Sequence, residues 1–353
     1  MGLRKNLTRV FSRKHSPVAA DSRALKGAEG EPQDEKTVAH GSRAVSAPPA
    51  AQLPIKRLML LIEARARDTH LNKAVRHLRL EGSNYDVLVH ELRKEGDAER
   101  LVRAAFDAAT LSPAEKTIHT FVAVGGDHTA NTGTLQSRLV NALVSCGASE
   151  DCCMGLVPRG PGPHDIAASL KIPQNVSQAL QIVATGQCHP VDLGVLNKKK
   201  VFMNLVNTGL AAEVEQSRQG AHAACLVSLI HPDRDTSGQG MPTRQKERHG
   251  CLSFLSVGTT IFQGSTLNDG LLDIMYAMDL SQEQLATLSQ GMATGQGLES
   301  LHGEMHRAKV PWLEVHAPGG IQVKVDGQDT VEEDLRFEVL PDRIRCAMPE
   351  AAQ

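Results

Sequence analysis

The stretch Thr120-Phe121-Val122-Ala123-Val124-Gly125-Gly126-Asp127-His128-Thr129-Ala130-Asn131 decides the fold. Its first half, Phe121 to Val124, is an unbroken apolar run. That is the pattern of a parallel strand buried on both faces. Gly125 and Gly126 then let the backbone take positive φ and let a ligand approach the amides closely. Amides at a strand-to-helix turn form a cradle for phosphate oxygens. Asp127 falls at the carboxyl end of the strand, where open α/β sheets bind ligands. Taken alone, Gly-Gly-Asp also fits a plain turn, so the flanking chain has to decide.

Upstream, Leu58 to Ile62 is a second continuous apolar run. Leu71, Val75 and Leu78 recur at helical spacing, which predicts a helix over Thr69 to Leu80. Tyr85 to His90 alternates as a strand, and Asp97 to Ala109 reads as a helix burying Leu101, Val102, Ala105 and Phe106. Downstream, Leu135, Leu139, Ala142 and Leu143 continue a helix, and Met154 to Val157 is a short strand. Pro158 to Asp165 is a Pro/Gly-rich loop, followed by helices from Ile166 to Leu170 and from Val176 to Thr185, the last stopped at Gly186. This β-α-β-α-β order gives a parallel sheet with helices on both faces. Two of its strand-turn-helix units present loops at one sheet edge, a stronger ligand-site signal than either alone.

From Pro190 the texture changes. Val191 to Asn197 and Lys200 to Leu205 read as a hairpin. Gln216 to Gly250 is polar and Gly-rich apart from Ala221 to Ile230, and reads as a surface excursion. Short strands return at Leu252 to Val257, Leu271 to Ala277, Trp312 to His316, Ile321 to Val325, Arg336 to Leu340 and Arg343 to Ala347, with a helix at Gln282 to Met292. Many short strands between turns predict a mainly antiparallel second domain.

Composition narrows the function. The 353 residues suffice for a substantial core and two domains. A net charge of -2 and 3% aromatics disfavour nucleic acid as a partner. No apolar run is long enough to span a bilayer, and the N-terminus lacks the apolar centre of a secretory signal. Seven cysteines without a paired CxxC pattern argue against a disulfide framework or structural zinc, and read as reduced cytosolic core thiols. Residues 1–53 read as a solvated tail, basic at Arg4, Lys5, Arg9, Arg13 and Lys14. An organelle presequence and a contact with anionic lipid are its two sharper readings.

In this order and spacing, four stretches resemble the diacylglycerol kinase family, especially its bacterial YegS-like branch. They are Val124 to Asn131, Pro158 to Ala167, Leu267 to Asp273, and Val325-Asp326-Gly327-Gln328, with Phe337 to Pro341 resembling the family's ending. The resemblance covers roughly Ile55 to Pro349. It implies an α/β nucleotide-binding domain of the NAD kinase/diacylglycerol kinase-like kind over residues 54–188, a mainly antiparallel β-sandwich domain over 189–336, and a segment over 337–353 that returns to the first. It also implies transfer of the γ-phosphoryl of ATP to a lipid hydroxyl at a membrane surface, with Mg²⁺ or Ca²⁺, by a cytoplasmic protein that could pair as a homodimer.

By the same resemblance, Gly125, Gly126, Asp127, His128, Thr129, Asn131, Gly160, Pro161 and His90 bind the nucleotide. Thr266, Asp269 and Leu271 offer oxygens to a metal, and Gln328 stands at the family's proton acceptor, with Asp127 the other catalytic candidate. Asp269 also fits a plain Asn-Asp-Gly turn.

The departures bear on activity. His128 replaces a glycine, at a cost of about 1–2 kcal/mol where φ is positive. Thr132 replaces a Glu, and Pro161 removes a hydroxyl and a backbone donor from a loop one residue longer than the family's. Glu63-Ala64-Arg65 replaces an Asn and a small-residue turn. Gln328 cannot accept a proton, and general-base help is typically worth about 10²–10⁴-fold. Asp326, Asp329, Glu332 or His128 are substitutes. A non-catalytic protein that kept the fold is the alternative reading. An NAD-kinase-like enzyme is a third, which the lipid-kinase resemblance of Asn268 to Asp273 and Val325 to Gln328 disfavours.

Overall fold

The apolar run Leu58–Ile62 is fully buried, as its lack of alternation requires. It forms the centre of β1 (Lys56–Glu63) in a computed structural model that describes residues 56–63, 68–81, 85–94, 96–111, 118–125, 134–148, 152–160, 164–209, 225–233, 244–259, 265–294, 301 and 303–350. The expected tail over residues 1–53 lies outside the described residues.

Strands β2 (Tyr85–Leu92), β3 (Ile118–Gly125) and β4 (Cys152–Pro158) join β1 in a parallel sheet of order β2-β1-β3-β4. Helices cover it: α1 (Thr69–Glu81), α2 (Asp97–Leu111), α3 (Leu135–Cys146), α4 (Asp165–Ser169) and α5 (Val176–Thr185). Leu71, Ala74, Val75 and Leu78 of α1 point into the core, one apolar stripe at helical spacing. Helix α3 is capped at both ends. Thr134 accepts the Ser137 N–H, and Gly147 takes the left-handed conformation (φ 73°) that closes a helix C-terminus. The Asn175 carboxamide accepts the Ser177 and Gln178 N–H groups at the start of α5. Gly155 is required where β4 meets α5, since a Cβ there would lie 2.7 Å from Val183 Cγ2.

The remaining strands are β5 (Gln187–Leu196), β6 (Lys200–Phe202), β7 (Leu205–Gly209), β8 (Cys225–Asp233), β9 (Arg244–Gly258), β10 (Leu272–Met278), β11 (His306–Val310), β12 (Trp312–Val325) and β13 (Gln328–Met348), with α6 (Gln282–Thr294) between β10 and β11. They pair antiparallel around a second core that includes Phe202, Leu255, Ile274, Val315, Val323 and Phe337. Strand β13 serves both halves. The early part of β13 pairs with β12, and Phe337–Leu340 and its end, Ile344–Met348, pair antiparallel with β5. Within that end, Cys346 meets Met154 of β4 in parallel register. Among the described residues, hydrogen bonding thus links 13 strands into one continuous sheet, and Pro54–Gln353 forms a single unit.

Several expectations are corrected. Residues 225–233 and 244–250, expected within a surface excursion, form strands β8 and the first half of β9, paired from Cys225↔Leu252 to Asp233↔Arg244. Exposed residues such as Glu247 and Arg248 hide that strand from an apolar pattern; its partner imposes it. The expected hairpin pairs β5 with β6, but its second strand, expected over Lys200 to Leu205, breaks at Met203-Asn204 into β6 and β7. The strands expected at Trp312–His316 and Ile321–Val325 are one strand with an irregularity between them. Strand β11 was not anticipated. Cys153 and Cys188 form a disulfide, with Cα atoms 6.1 Å apart, in place of the two reduced thiols expected. Their separation of 35 residues gives no local motif; the sheet brings them together.

Candidate functional site

Parallel strands deliver their carboxyl ends to one edge, and three connections gather there. Arg159, just after β4, donates its backbone N–H to Gly125 O at 2.9 Å, tying the second loop to the end of β3. The Arg159 guanidinium pairs with Asp68 at the start of α1. Asp68 in turn accepts the Leu71 N–H at 2.9 Å, and that bond, followed by Arg159, holds its carboxyl below the usual range. Gly160 has φ +93° with open space around its Cα, and its carbonyl lies 3.2 Å from His164 Nε2. The His164 ring is buried, and its Nδ1 has no hydrogen-bond partner among the described residues.

A fourth element arrives from the other half of the molecule. Val325 and Gln328 pair across a two-residue turn in which Asp326 (φ 44°) and Gly327 (φ 82°) both have positive φ. A Cβ on Gly327 would lie 3.9 Å from Thr134 Cγ2. Thr134 caps α3 and ends the Gly-Gly-Asp connection, so the turn carrying Gln328 abuts that connection.

Asp326 fixes the turn. Its Oδ2 accepts the Met203 N–H at 3.0 Å, and its Oδ1 accepts those of Asn204 and Leu205 at 3.1 and 2.9 Å. Burial nevertheless pushes its pKa up to about 6, against those three donors and Lys200. A carboxylate so engaged is not the substitute base for Gln328. Asp329 lies on the opposite face of β13, and Glu332, on the same face as Gln328, is four residues away, roughly 13 Å along a strand. Gln328 itself is half-buried.

The structure places Gly125, Gly160 and Gln328 around this edge. Gly126, Asp127, His128, Thr129, Asn131 and Pro161 lie outside the described residues. His90 sits on β2 opposite Leu61 of β1, with Nε2 buried and unpartnered among the described residues.

Thr266, Asp269 and Leu271 share the connection before β10, but Asp269 is already engaged. Its Oδ2 lies 2.9 Å from Lys309 Nζ, and its Oδ1 accepts the Leu271 N–H at 3.1 Å. Among the described residues, no group of three or more His, Cys, Asp or Glu could hold a metal ion. With Lys309 on one Asp269 oxygen and the Leu271 amide on the other, this carboxylate is not presented to a divalent cation. Sequence reasoning missed Lys309 and also Asp192, a buried carboxylate that accepts the N–H groups of Gly270 and Asp342, both at 2.7 Å. A lone acid inside the apolar run Val191–Leu196 was the available signal, since a buried carboxylate needs partners.

A cavity of about 620 Å³ between α1 and the start of α5 is lined by His70, Lys73, Arg76, His77 and Arg159, among others. Leu80, at its far end, is 82% exposed. No helix among the described residues is long and apolar enough to cross a membrane.

Residues 57–196 match the model of the diacylglycerol kinase catalytic domain. Similar curated proteins include the "Probable lipid kinase YegS-like" of Yersinia enterocolitica, 27% identical over 313 residues, covering 83% of this chain and 96% of that one. The protein of the same description from Yersinia pestis is 26% identical over 317 residues, with the same coverage. A crystal structure of a diacylglycerol kinase from Bacillus anthracis superposes with a TM-score of 0.59 at 15% identity, covering 84% of this chain and 98% of that one.

Proposed function

We propose that this chain, which belongs to the diacylglycerol kinase family and is similar to its YegS-like lipid kinases, transfers the γ-phosphoryl group of ATP to a lipid hydroxyl at a membrane surface. One observation carries the reading beyond family membership: the turn ending in Gln328 abuts Thr134, at the end of the Gly-Gly-Asp connection, on the edge where the β1, β3 and β4 connections meet. Phosphoryl transfer needs the triphosphate and the attacking hydroxyl side by side, and the approach of this turn to the amino end of α3 supports that reading.

In this reading the amides of Gly126 to Asn131 and the amino end of α3 receive phosphate oxygens. Arg159 positions the second loop through its bond to Gly125. Mg²⁺ accompanying the nucleotide supplies charge neutralisation and is not held by Asp269. Asp326 aims the turn, and the β-rich half, as the family's sandwich, presents the lipid. The cation-lined groove of α1 and exposed Leu80 support contact with anionic headgroups.

Gln328 cannot take the hydroxyl proton, so in this reading transfer relies on positioning and on stabilisation of the phosphate charge. The commitment of Asp326 to three amides also favours a second reading, a non-catalytic family member that binds nucleotide or lipid without transfer. Incubation with γ-labelled ATP, Mg²⁺ and vesicles containing hydroxyl-bearing lipids separates the two. Label in the lipid fraction that disappears in Asp127→Ala supports the kinase. Bound nucleotide with no labelled lipid supports the second reading.

A further inference from the structure

The connection before β10 is where the sequence led us to expect a cation, and a cation is already there. Asp273 of β10 and Lys309 of β11 are direct cross-strand partners. That register carries Lys309 Nζ to 2.9 Å from Asp269 Oδ2 and 3.8 Å from Asp273 Oδ1. We propose that the Lys309 ammonium is the resident cation of this connection, doing without a divalent ion what an ion held by Thr266, Asp269 and Leu271 would do.

The surroundings need a positive charge. Burial pushes the Asp192 carboxyl up, and the nearby Asp342 and Asp269 carboxylates add to that. Asp192 receives Gly270 N–H on one oxygen and Asp342 N–H on the other, and its own N–H goes to Leu267 O at 2.7 Å. The connection, β5 and the bend before Ile344 are thereby fastened together. The bend is where β13 crosses from one half of the molecule to the other. A cation at Asp269 steadies that fastening.

A divalent ion is poorly served here. Mg²⁺ and Ca²⁺ take six or more oxygens at about 2.0–2.6 Å. One Asp269 oxygen is committed to the ammonium and the other to an amide. A lysine needs only hydrogen-bond distance, carries one charge on a flexible stem, and is held by strand register whatever the metal supply.

The test is thermal unfolding of the full chain without nucleotide, in EDTA and in millimolar MgCl₂, CaCl₂ or MnCl₂. A kinase-dead protein gives the same readout, so this test stands apart from the proposed activity. Wild type should unfold within about 1 °C in all conditions. Lys309→Met should unfold earlier in EDTA and recover by about 3 °C or more with a divalent ion, as expected for a ligand that binds only the folded state. The double variant Lys309→Met/Asp269→Asn should not respond. Should Lys309→Met fail to fold, Lys309→Gln replaces it. A saturable divalent shift in wild type that Asp269→Asn removes would overturn the proposal, because the ion then binds despite the lysine. A lysine variant that no divalent ion rescues would overturn it equally, because Lys309 is then an ordinary ion pair.

Discussion

Replacing Asp326 by Ala removes the acceptor of three backbone N–H groups, Met203, Asn204 and Leu205, in a site where Asp326 is 5% exposed. Each buried donor left without an acceptor costs about 1–3 kcal/mol. Against that stands the relief of a buried charge. The folded pKa of about 6 lies above the ordinary value of 3.8. The folded state therefore binds this proton more tightly than the unfolded state. The carboxyl's contribution to stability is full below pH 3.8 and declines by about 3 kcal/mol as pH rises through 6. The net deficit of Asp326→Ala at pH 7 should be about 3 kcal/mol. It should widen by about 1.4 kcal/mol at pH 5, where wild type has regained part of the proton-linked stability.

Urea unfolding followed by the fluorescence of Trp312, the single tryptophan, measures both values. Other titrating groups are shared by the two proteins and cancel in the difference. A deficit under about 1 kcal/mol at pH 7 would show that the turn does not depend on these bonds. A deficit that narrows at pH 5 would show that the three N–H donors outweigh burial, and would refute the pKa argument.

Three further outcomes follow from the geometry. If the proposed kinase reading holds, Gln328→Glu should raise lipid phosphorylation by about 10²–10⁴-fold in a label-transfer assay; an unchanged rate would mean that proton removal is not what limits the chain. A Cβ at Gly194 would overlap Cζ of the buried Phe202 ring, so Gly194→Ala should destabilise by about 1–3 kcal/mol in urea, and unaltered stability would show that the β5–β6 contact is loosely packed. Alkylation of unfolded protein without reductant should spare Cys153 and Cys188, and the bridge should add about 3–4 kcal/mol for a loop of this length; labelling of both cysteines would show the pair reduced.

The parallel half of the fold was legible because its signals are local. β1 and β3 are apolar runs, α1 carries one stripe, and Gly186 stops α5, so bounds read from the sequence fall within a few residues of those observed. The β-rich half was less legible because long-range pairing builds it. Arg244–Gly250 extends past the core beside β8 and shows no alternation of its own. Gln328–Leu335 carries Glu332, Glu333 and Asp334 yet lies along β12. The candidate site divides the same way. Gln328 and Gly160 are read from local motifs. The roles of Asp326, Asp192 and Lys309 depend on partners between 36 and 150 positions away, and no spacing rule reaches that far. For Lys309 the decisive fact is a cross-strand register that only the folded sheet supplies.

Everything functional in this account depends on a triphosphate being held at the carboxyl edge of the parallel sheet. Calorimetric titration of Mg·ATP into the full chain, and into Asp127→Ala, tests that directly. We expect saturable binding by wild type, weakened at least tenfold in the variant, a difference of about 1.4 kcal/mol. No heat of binding to wild type, or equal affinity in the two proteins, would contradict it.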